Sequence, residues 1–311
     1  MTITTASTKK KSTVPSYFQK RRFKENRDGF LFVLPALIAF IIFLAIPLIM
    51  SFGLMFMDYN LLNPPEFVGL NNFRRASIDP LFTRSLTNTL RFFAFITPIH
   101  CILALGLAYV VHQVRNSKLR SLYRGLIFFP TIVTTASVAI VWTFMFATDT
   151  GFINFYIRQL GGSNVPWMTD TLMIYVTIAL FSGWKFIGTT FLFYFIGLQN
   201  IPSSYLEAAV IDGANKFQCF FRVTLPLLTP TVFFVFVTNM IGVFQIFEEP
   251  FFIAGGNTHA RSLALHIYEN AFNNIRFGYA SLLSIIMFGI IMTITGIQFW
   301  VQRKWVNYDY E

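Results

Sequence analysis

Charge is scarce in this chain. Only 12% of its 311 residues are Asp, Glu, Lys or Arg, while 55% are hydrophobic; ordinary soluble domains carry about a quarter charged residues. That deficit excludes a water-soluble enzyme or binding module of the usual kind. Cysteine is nearly absent as well. Cys101 falls in an apolar block and Cys219 in a polar connection, so neither a disulfide framework nor a thiolate metal site is expected. His100 and His112 stand alone, and His259 and His266 share one connection without the carboxylate spacing of a metal centre, so all four are expected to be structural or solvated. No Gly-x-x-x-x-Gly-Lys-Ser/Thr run occurs, which leaves no loop to cradle the phosphates of ATP. Paired acids, a His/Cys set or an activated nucleophile at catalytic spacing are also missing.

Uninterrupted apolar sequence is what the chain has. A helix needs about 20 apolar residues to cross the hydrocarbon while satisfying its own backbone. Six blocks qualify: about Phe30 to Met57, Phe92 to Val111, Leu126 to Ala147, Leu172 to Leu198, Thr231 to Phe247 and Tyr279 to Val301. The first far exceeds the apolar core of a signal peptide and is followed by no small-x-small cleavage site, so it is expected to persist as an anchor. Residues 1–28 form a basic tail with little to bury, and 29–311 form the membrane domain.

The formal charge of +10 is not read as a nucleic-acid signal, because the bases sit where topology would put them. Lys9, Lys10, Lys11, Lys20, Arg21, Arg22, Lys24 and Arg27 precede the first block. Arg115, Lys118, Arg120 and Arg124 crowd the second connection, Lys216 and Arg222 lie in the fourth, and Arg303 and Lys304 follow the last block. With six crossings all these segments share one side, which positive bias makes the cytoplasm. Both termini are expected there.

The fourth connection, from about 202 to 226, carries the most information. Ser204 followed by Glu207 has the spacing of a capping box, and Leu206 to Ile211 continues as a helix. Gly213 permits a turn with positive φ, and a second helical stretch from about Ala214 to Arg222 ends before Pro226. The expected product is a helix–glycine–helix knob. Its residues Glu207, Ala208, Ala209, Asp212, Gly213, Ala214, Phe217, Leu225 and Pro226 match the signature of binding-protein-dependent ABC importer permeases, and the chain resembles the maltose-type carbohydrate group. Phe67-Val-Gly-Leu-Asn-Asn-Phe73, Asn88-Thr89, Leu198-Gln-Asn-Ile-Pro202 and Gly255-Gly256 are similar to the larger partner in that group, with Asn257 where a proline is usual.

The resemblance implies an all-α integral membrane protein of the bacterial cytoplasmic membrane, with six transmembrane helices in a type I ABC importer permease bundle. It implies that the knob is the coupling helix, docking on a separate ATPase through Glu207, Ala208, Ala209, Asp212, Gly213, Ala214 and Phe217. Expected partners are a homologous second permease subunit, two ATP-binding subunits, an extracytoplasmic solute-binding protein, a carbohydrate and membrane lipid, with no nucleic acid. The chain itself would bind no cofactor, ATP and Mg residing on the ATPase subunits.

Polar groups within a span cost free energy and tend to face a bundle interior or wet cavity. Thr238, Gly242, Gln245 and Glu249 recur on one helical face, with Asn239 beside them. Trp184, Lys185, Gly188 and Thr189 cluster in the fourth block. Trp184, Lys185, Thr189, Thr238, Gly242 and Gln245 are therefore expected to line a substrate path for a di- or oligosaccharide. Helix packing through small and polar residues is the competing account. Lys185 also raises the alternative of an acidic sugar or sugar-phosphate-like solute. A polytopic enzyme acting on a lipid-linked substrate and a passive channel are the rivals from other classes.

Overall fold

The computed structural model describes residues 16–306. They divide into one unit ending at Gly53 and another beginning at Leu54. In the first, helix α1 (Ser16–Phe40) runs through a π-helical turn, Ile41–Ala45, into α2 (Ile46–Leu54). Its most apolar stretch carries no buried residue. The basic segment is helical from Ser16 onward, while Lys9, Lys10 and Lys11 lie outside the described residues.

The second unit opens with a short antiparallel pairing of β1 (Met57–Asp58) and β2 (Glu66–Phe67), followed by α3 (Asn71–Ile78). The Asn72 side-chain amide donates to the carbonyls of Met55 and Met57, each at 3.0 Å, which fixes α3 to the strand it follows. Helix α4 (Pro80–His112) starts well before the apolar block it contains. The reason is local: the Asp79 carboxylate accepts from the Leu81 N–H, and Pro80 occupies the first turn, where its missing donor costs nothing.

The third block does not form one straight span. It splits into α5 (Ser117–Ile132) and α6 (Thr135–Met145), which meet at 91°. Pro130 lies in the last turn of α5, and Val133 is extended with φ −70° and ψ 145°, so the ladder of backbone bonds stops there. After α7 (Phe152–Gln159) comes α8 (Thr171–Gln199), capped by Asp170 accepting from Leu172 and Met173. Then follow α9 (Ser203–Ile211), α10 (Lys216–Cys219), a π turn Phe220–Thr224, α11 (Leu225–Leu227) and α12 (Thr229–Phe244). A break at Gln245–Phe247 leads to α13 (Glu248–Ile253), α14 (Leu263–Tyr268), a π turn Glu269–Asn273 and α15 (Phe277–Gln302). Among the described residues, with α1–α2 and α12–α13 each taken as one, five helical stretches are long and apolar enough to cross a membrane, and six if the bent α5–α6 pair also counts as one span.

The core is organised on α4 and α8. Ala104 and Ala108 stand one turn apart on α4, fully buried, and let Phe191, Tyr194 and Phe195 of α8 close in. Gly188 does the same for α5 and α8: a Cβ there would lie 2.7 Å from the Ile127 carbonyl oxygen and 2.8 Å from the Phe128 Cα. Loops are pinned by side-chain amides and hydroxyls. Asn88 donates to the carbonyls of Thr258 and Arg261, and Thr89 Oγ1 accepts from the Leu263 N–H. Asn257, in the glycine-rich turn, donates to the Met168 carbonyl and accepts from the His259 N–H.

Candidate functional site

A cavity of about 510 Å³ lies between α4, α8, α12 and α13. Its wall combines hydroxyls and amides (Ser182, Thr189, Thr190, Thr238, Asn239, Gln245) with the rings of Phe186, Phe193 and Phe247, the carboxylates of Glu248 and Glu249, and His100. Asn239 ties three helices together. Its Nδ2 donates to Thr190 Oγ1 at 3.1 Å and to the Val235 carbonyl at 2.9 Å, while its Oδ1 lies 3.4 Å from His100 Nδ1. Thr238 donates its hydroxyl proton to the Phe234 carbonyl at 2.9 Å, which leaves its oxygen to accept. Alcohols can both give and receive in such a wall, and ring faces suit weakly apolar C–H surfaces.

Of the six residues expected on the path, Thr189, Thr238, Gly242 and Gln245 line this cavity, and Trp184 and Lys185 do not. Trp184 stacks on Trp142 of α6 with ring centroids 6.0 Å apart. Lys185 is 2% exposed, and its ammonium donates to the carbonyls of Pro130 (2.9 Å), Thr131 (3.2 Å) and Val133. These are the acceptors released where α5 ends. Lys185 thus caps a broken helix from a neighbouring one, because its position on α8 faces α5 and not α12. The expected stripe of Thr238, Gly242, Gln245 and Glu249 converges on the cavity, yet not along one helix: the chain breaks after Phe244, so Glu249 arrives on α13.

The sequence pattern did not single out His100, Ser182, Thr190 or Glu248 as cavity residues. An ionisable side chain within an apolar block is itself a functional signal, and His100 carries it. Ser182 and Thr190 lie a turn or two from Phe186 on α8 and were readable only once the facing helix was known.

The second feature is the α9–α10 turn. The chain leaves α9 through a Schellman arrangement: Ala214 N–H donates to the Ala209 carbonyl at 2.9 Å and Gly213 N–H to the Val210 carbonyl at 3.0 Å. Gly213 has φ +83°, a conformation that costs an L-residue about 1–2 kcal/mol. The capping box expected at Ser204 and Glu207 is absent. Ser203 already lies inside α9, and Pro202 at the cap offers no side-chain acceptor. The box forms instead at the next helix, where Asn215 and Gln218 exchange side-chain bonds with each other's backbone N–H at 2.9 Å each. The second helical stretch also does not stop before Pro226, because a π turn carries it into α11 with Pro226 in the first turn.

The structure brings Glu207, Ala208, Ala209, Asp212, Gly213, Ala214 and Phe217 together on this knob. Glu207, Ala208, Asp212 and Gly213 are exposed, and Ala209 and Ala214 are half-buried. Apolar side chains are exposed beside them: Ile211 is 85% and Phe217 70% accessible. Phe220 packs edge-on against Tyr109 of α4 at 4.6 Å, so the knob touches a helix that also lines the cavity. Among the described residues no group of three His, Cys, Asp or Glu side chains converges as metal ligands.

At the other end of α4, Asp79 accepts from the Tyr279 hydroxyl at 2.8 Å and lies 3.3 Å from His266 Nε2. Burial raises the Asp79 carboxyl, but the bonds from Tyr279 and the Leu81 N–H, with the charge of His266, outweigh it and hold the group below the usual carboxylate range. Burial pushes the His266 imidazole below its ordinary value despite Asp79.

The profile of the family described as "Binding-protein-dependent transport system inner membrane component" matches residues 101–307. The chain is 36% identical over 293 residues to the probable ABC transporter permease protein YesP of Bacillus subtilis (strain 168), covering 92% of this chain and 94% of that protein. It is 32% identical over 295 residues to the lactose transport system permease protein LacF of Rhizobium radiobacter, covering 92% and 96%. Among solved structures, it superposes with a TM-score of 0.79 on a chain of a bacterial ABC transporter involved in the import of the acidic polysaccharide alginate. That match covers 92% of this chain and all of the other at 23% identity, and it shows the shared fold.

Proposed function

We propose, on the premise that this chain belongs to the family of binding-protein-dependent transport system inner membrane components, that it is one of two permease subunits forming the solute path of an ATP-driven sugar importer. The chain is a transporter component and not an enzyme. The observation that carries the proposal is the pairing of an exposed, signature-bearing turn with a polar cavity on the same helices. Phe220 of the knob rests on Tyr109 of α4, and the knob runs through α11 into α12. Helices α4 and α12 then meet at His100 and Asn239 in the cavity wall. A push on the knob reaches both sides of that contact.

In this reading the α9–α10 turn and both termini face the cytoplasm, and the exposed Ile211 and Phe217 side chains are covered by an ATPase subunit that holds ATP and Mg. A homologous permease completes the path, and an external binding protein delivers a di- or oligosaccharide, as the lactose system of the Rhizobium relative supports. ATP-driven closure of the ATPase pair becomes rigid-body movement of the helices, which opens the cavity to one side at a time.

The test is affinity purification of the tagged chain from its native membrane, mass identification of the subunits that come with it, and reconstitution of that assembly for uptake of labelled oligosaccharides. Copurifying ATPase and second permease, with uptake that stops without ATP, is the expected result. Solute movement by the isolated chain, or labelling of a cysteine placed at Asp212 from outside the cell, would overturn the proposal.

A further inference from the structure

The cavity wall is charged in one sense. Glu248 and Glu249 line it, and no lysine or arginine does. Glu249 is 6% exposed, and the ion pairs among the described residues, Arg27–Asp28, Arg261–Glu269 and His266–Asp79, include neither glutamate. The charge of Lys185 acts on both carboxylates. Its ammonium, however, is held by three carbonyls at the end of α5, and a helix C-terminus carries about half a negative charge. The exposed Glu248 carboxylate and the helix end together outweigh that one cation, and Glu249 adds to the negative side whenever it is ionised.

The hydrogen-bonding chemistry of the same wall points to the occupant. An alcohol both donates and accepts, so it matches the hydroxyls, amides and carboxylates that line the cavity. A carboxylate or phosphate only accepts, and would meet Glu248 and Glu249 as like charges. The glutamates accept strongly from hydroxyls.

We propose that this cavity selects by charge: it admits hydroxyl-rich solutes without negative charge and repels sugars bearing carboxylate, sulfate or phosphate groups. The proposal rests on the reading of the cavity as part of the solute path. It sets the chain's own specificity apart from that of the alginate importer whose fold it shares, since that transporter carries an acidic polysaccharide.

Gln245 is exposed within the cavity wall and offers a position for a reporter. In the assembled complex, Cys101 and Cys219 are replaced by serine, Gln245→Cys is introduced, and its labelling rate is measured with cationic, neutral and anionic methanethiosulfonates of similar size, each normalised to a free thiol. The neutral reagent reacts, and the cationic reagent exceeds the anionic one severalfold or more, the size expected for carboxylate charge several Å away in a wet site. Glu248→Gln with Glu249→Gln brings that ratio close to one. Equal rates for the two charged reagents in the unaltered wall would overturn the charge selection while leaving the path intact. Failure of the neutral reagent to react would show that the cavity is not water-filled, and would remove the path reading with it.

Discussion

Replacing Lys185 by methionine separates a structural amine from a solute contact. The side chain keeps its length and apolar stem, and only the ammonium disappears. Left behind are the carbonyls of Pro130, Thr131 and Val133, each now without its donor. A buried acceptor stripped of its partner costs about 1–3 kcal/mol, so three give an upper bound near 9 kcal/mol. Two terms reduce it: the variant no longer carries the desolvation of a buried cation, itself several kcal/mol, and Thr131 Oγ1 keeps its bond to the Lys185 carbonyl at 3.1 Å, so α5 and α8 stay in contact. A net loss of about 2–4 kcal/mol remains, which lowers the unfolding temperature by roughly 5–10 °C for a chain of this size. The assay is thermal unfolding of the purified complex in detergent, followed by fluorescence-detected size exclusion, with uptake measured in parallel. Loss of thermal stability without a change in which sugars are carried is expected. A Lys185→Met complex that melts within about 1 °C of the parent yet carries different solutes would refute the capping role.

Four other outcomes follow from the same geometry. Gln245→Leu removes an exposed amide from the cavity wall and is expected to lower sugar uptake severalfold while leaving the unfolding temperature unchanged, which parallel uptake and melting measurements check. Gly188→Leu forces a side chain into the backbone of α5 and should cost about 1–3 kcal/mol or more, read as poor yield of folded complex. Gly213→Ala meets open space but must hold a positive φ, so about 1–2 kcal/mol of local strain should leave membrane insertion intact and reduce solute-stimulated ATPase activity; Gly213→Leu should uncouple it further. For His266 and Asp79 the sign is the same: both groups bind protons less readily in the fold than when unfolded. The stability they contribute is present above about pH 6.5 and is lost first as the unfolded imidazole takes up protons below that, then as the carboxyl protonates below about pH 4. His266→Gln should flatten the upper step of the melting temperature against pH.

Hydropathy carried most of the architecture, because five of the expected blocks form helices: α8, α12 and α15 end within a few residues of the apolar limits, α1 begins at Ser16, well before Phe30, and Asp79 and Pro80 extend α4 at its start. The bend between α5 and α6 was not legible, since what makes it tolerable is an ammonium more than 50 residues away in sequence. The same fact hid the true position of Lys185: an intramembrane base signals importance, and spacing alone does not say whether it faces solute or a neighbouring helix. The stripe of Thr238, Gly242 and Gln245 was readable as a period of three and four, and the turn at Gly213 as a residue free to adopt positive φ. The cap at Asn215 was missed in favour of Ser204 because Pro202 starts α9 earlier than a capping box allows.

The corner between α5 and α6 also bears on the lipid. At about 1.5 Å per residue, the 16 residues of α5 reach only about 24 Å, against a hydrocarbon slab of about 30 Å. A segment turned by 91° adds breadth and almost no depth. Set normal to the membrane, α5 would leave about 6 Å of the slab unmatched, and each Å of mismatch costs a fraction of a kcal/mol. Acyl-chain length is therefore a variable to set in the reconstituted complex, with uptake as the readout.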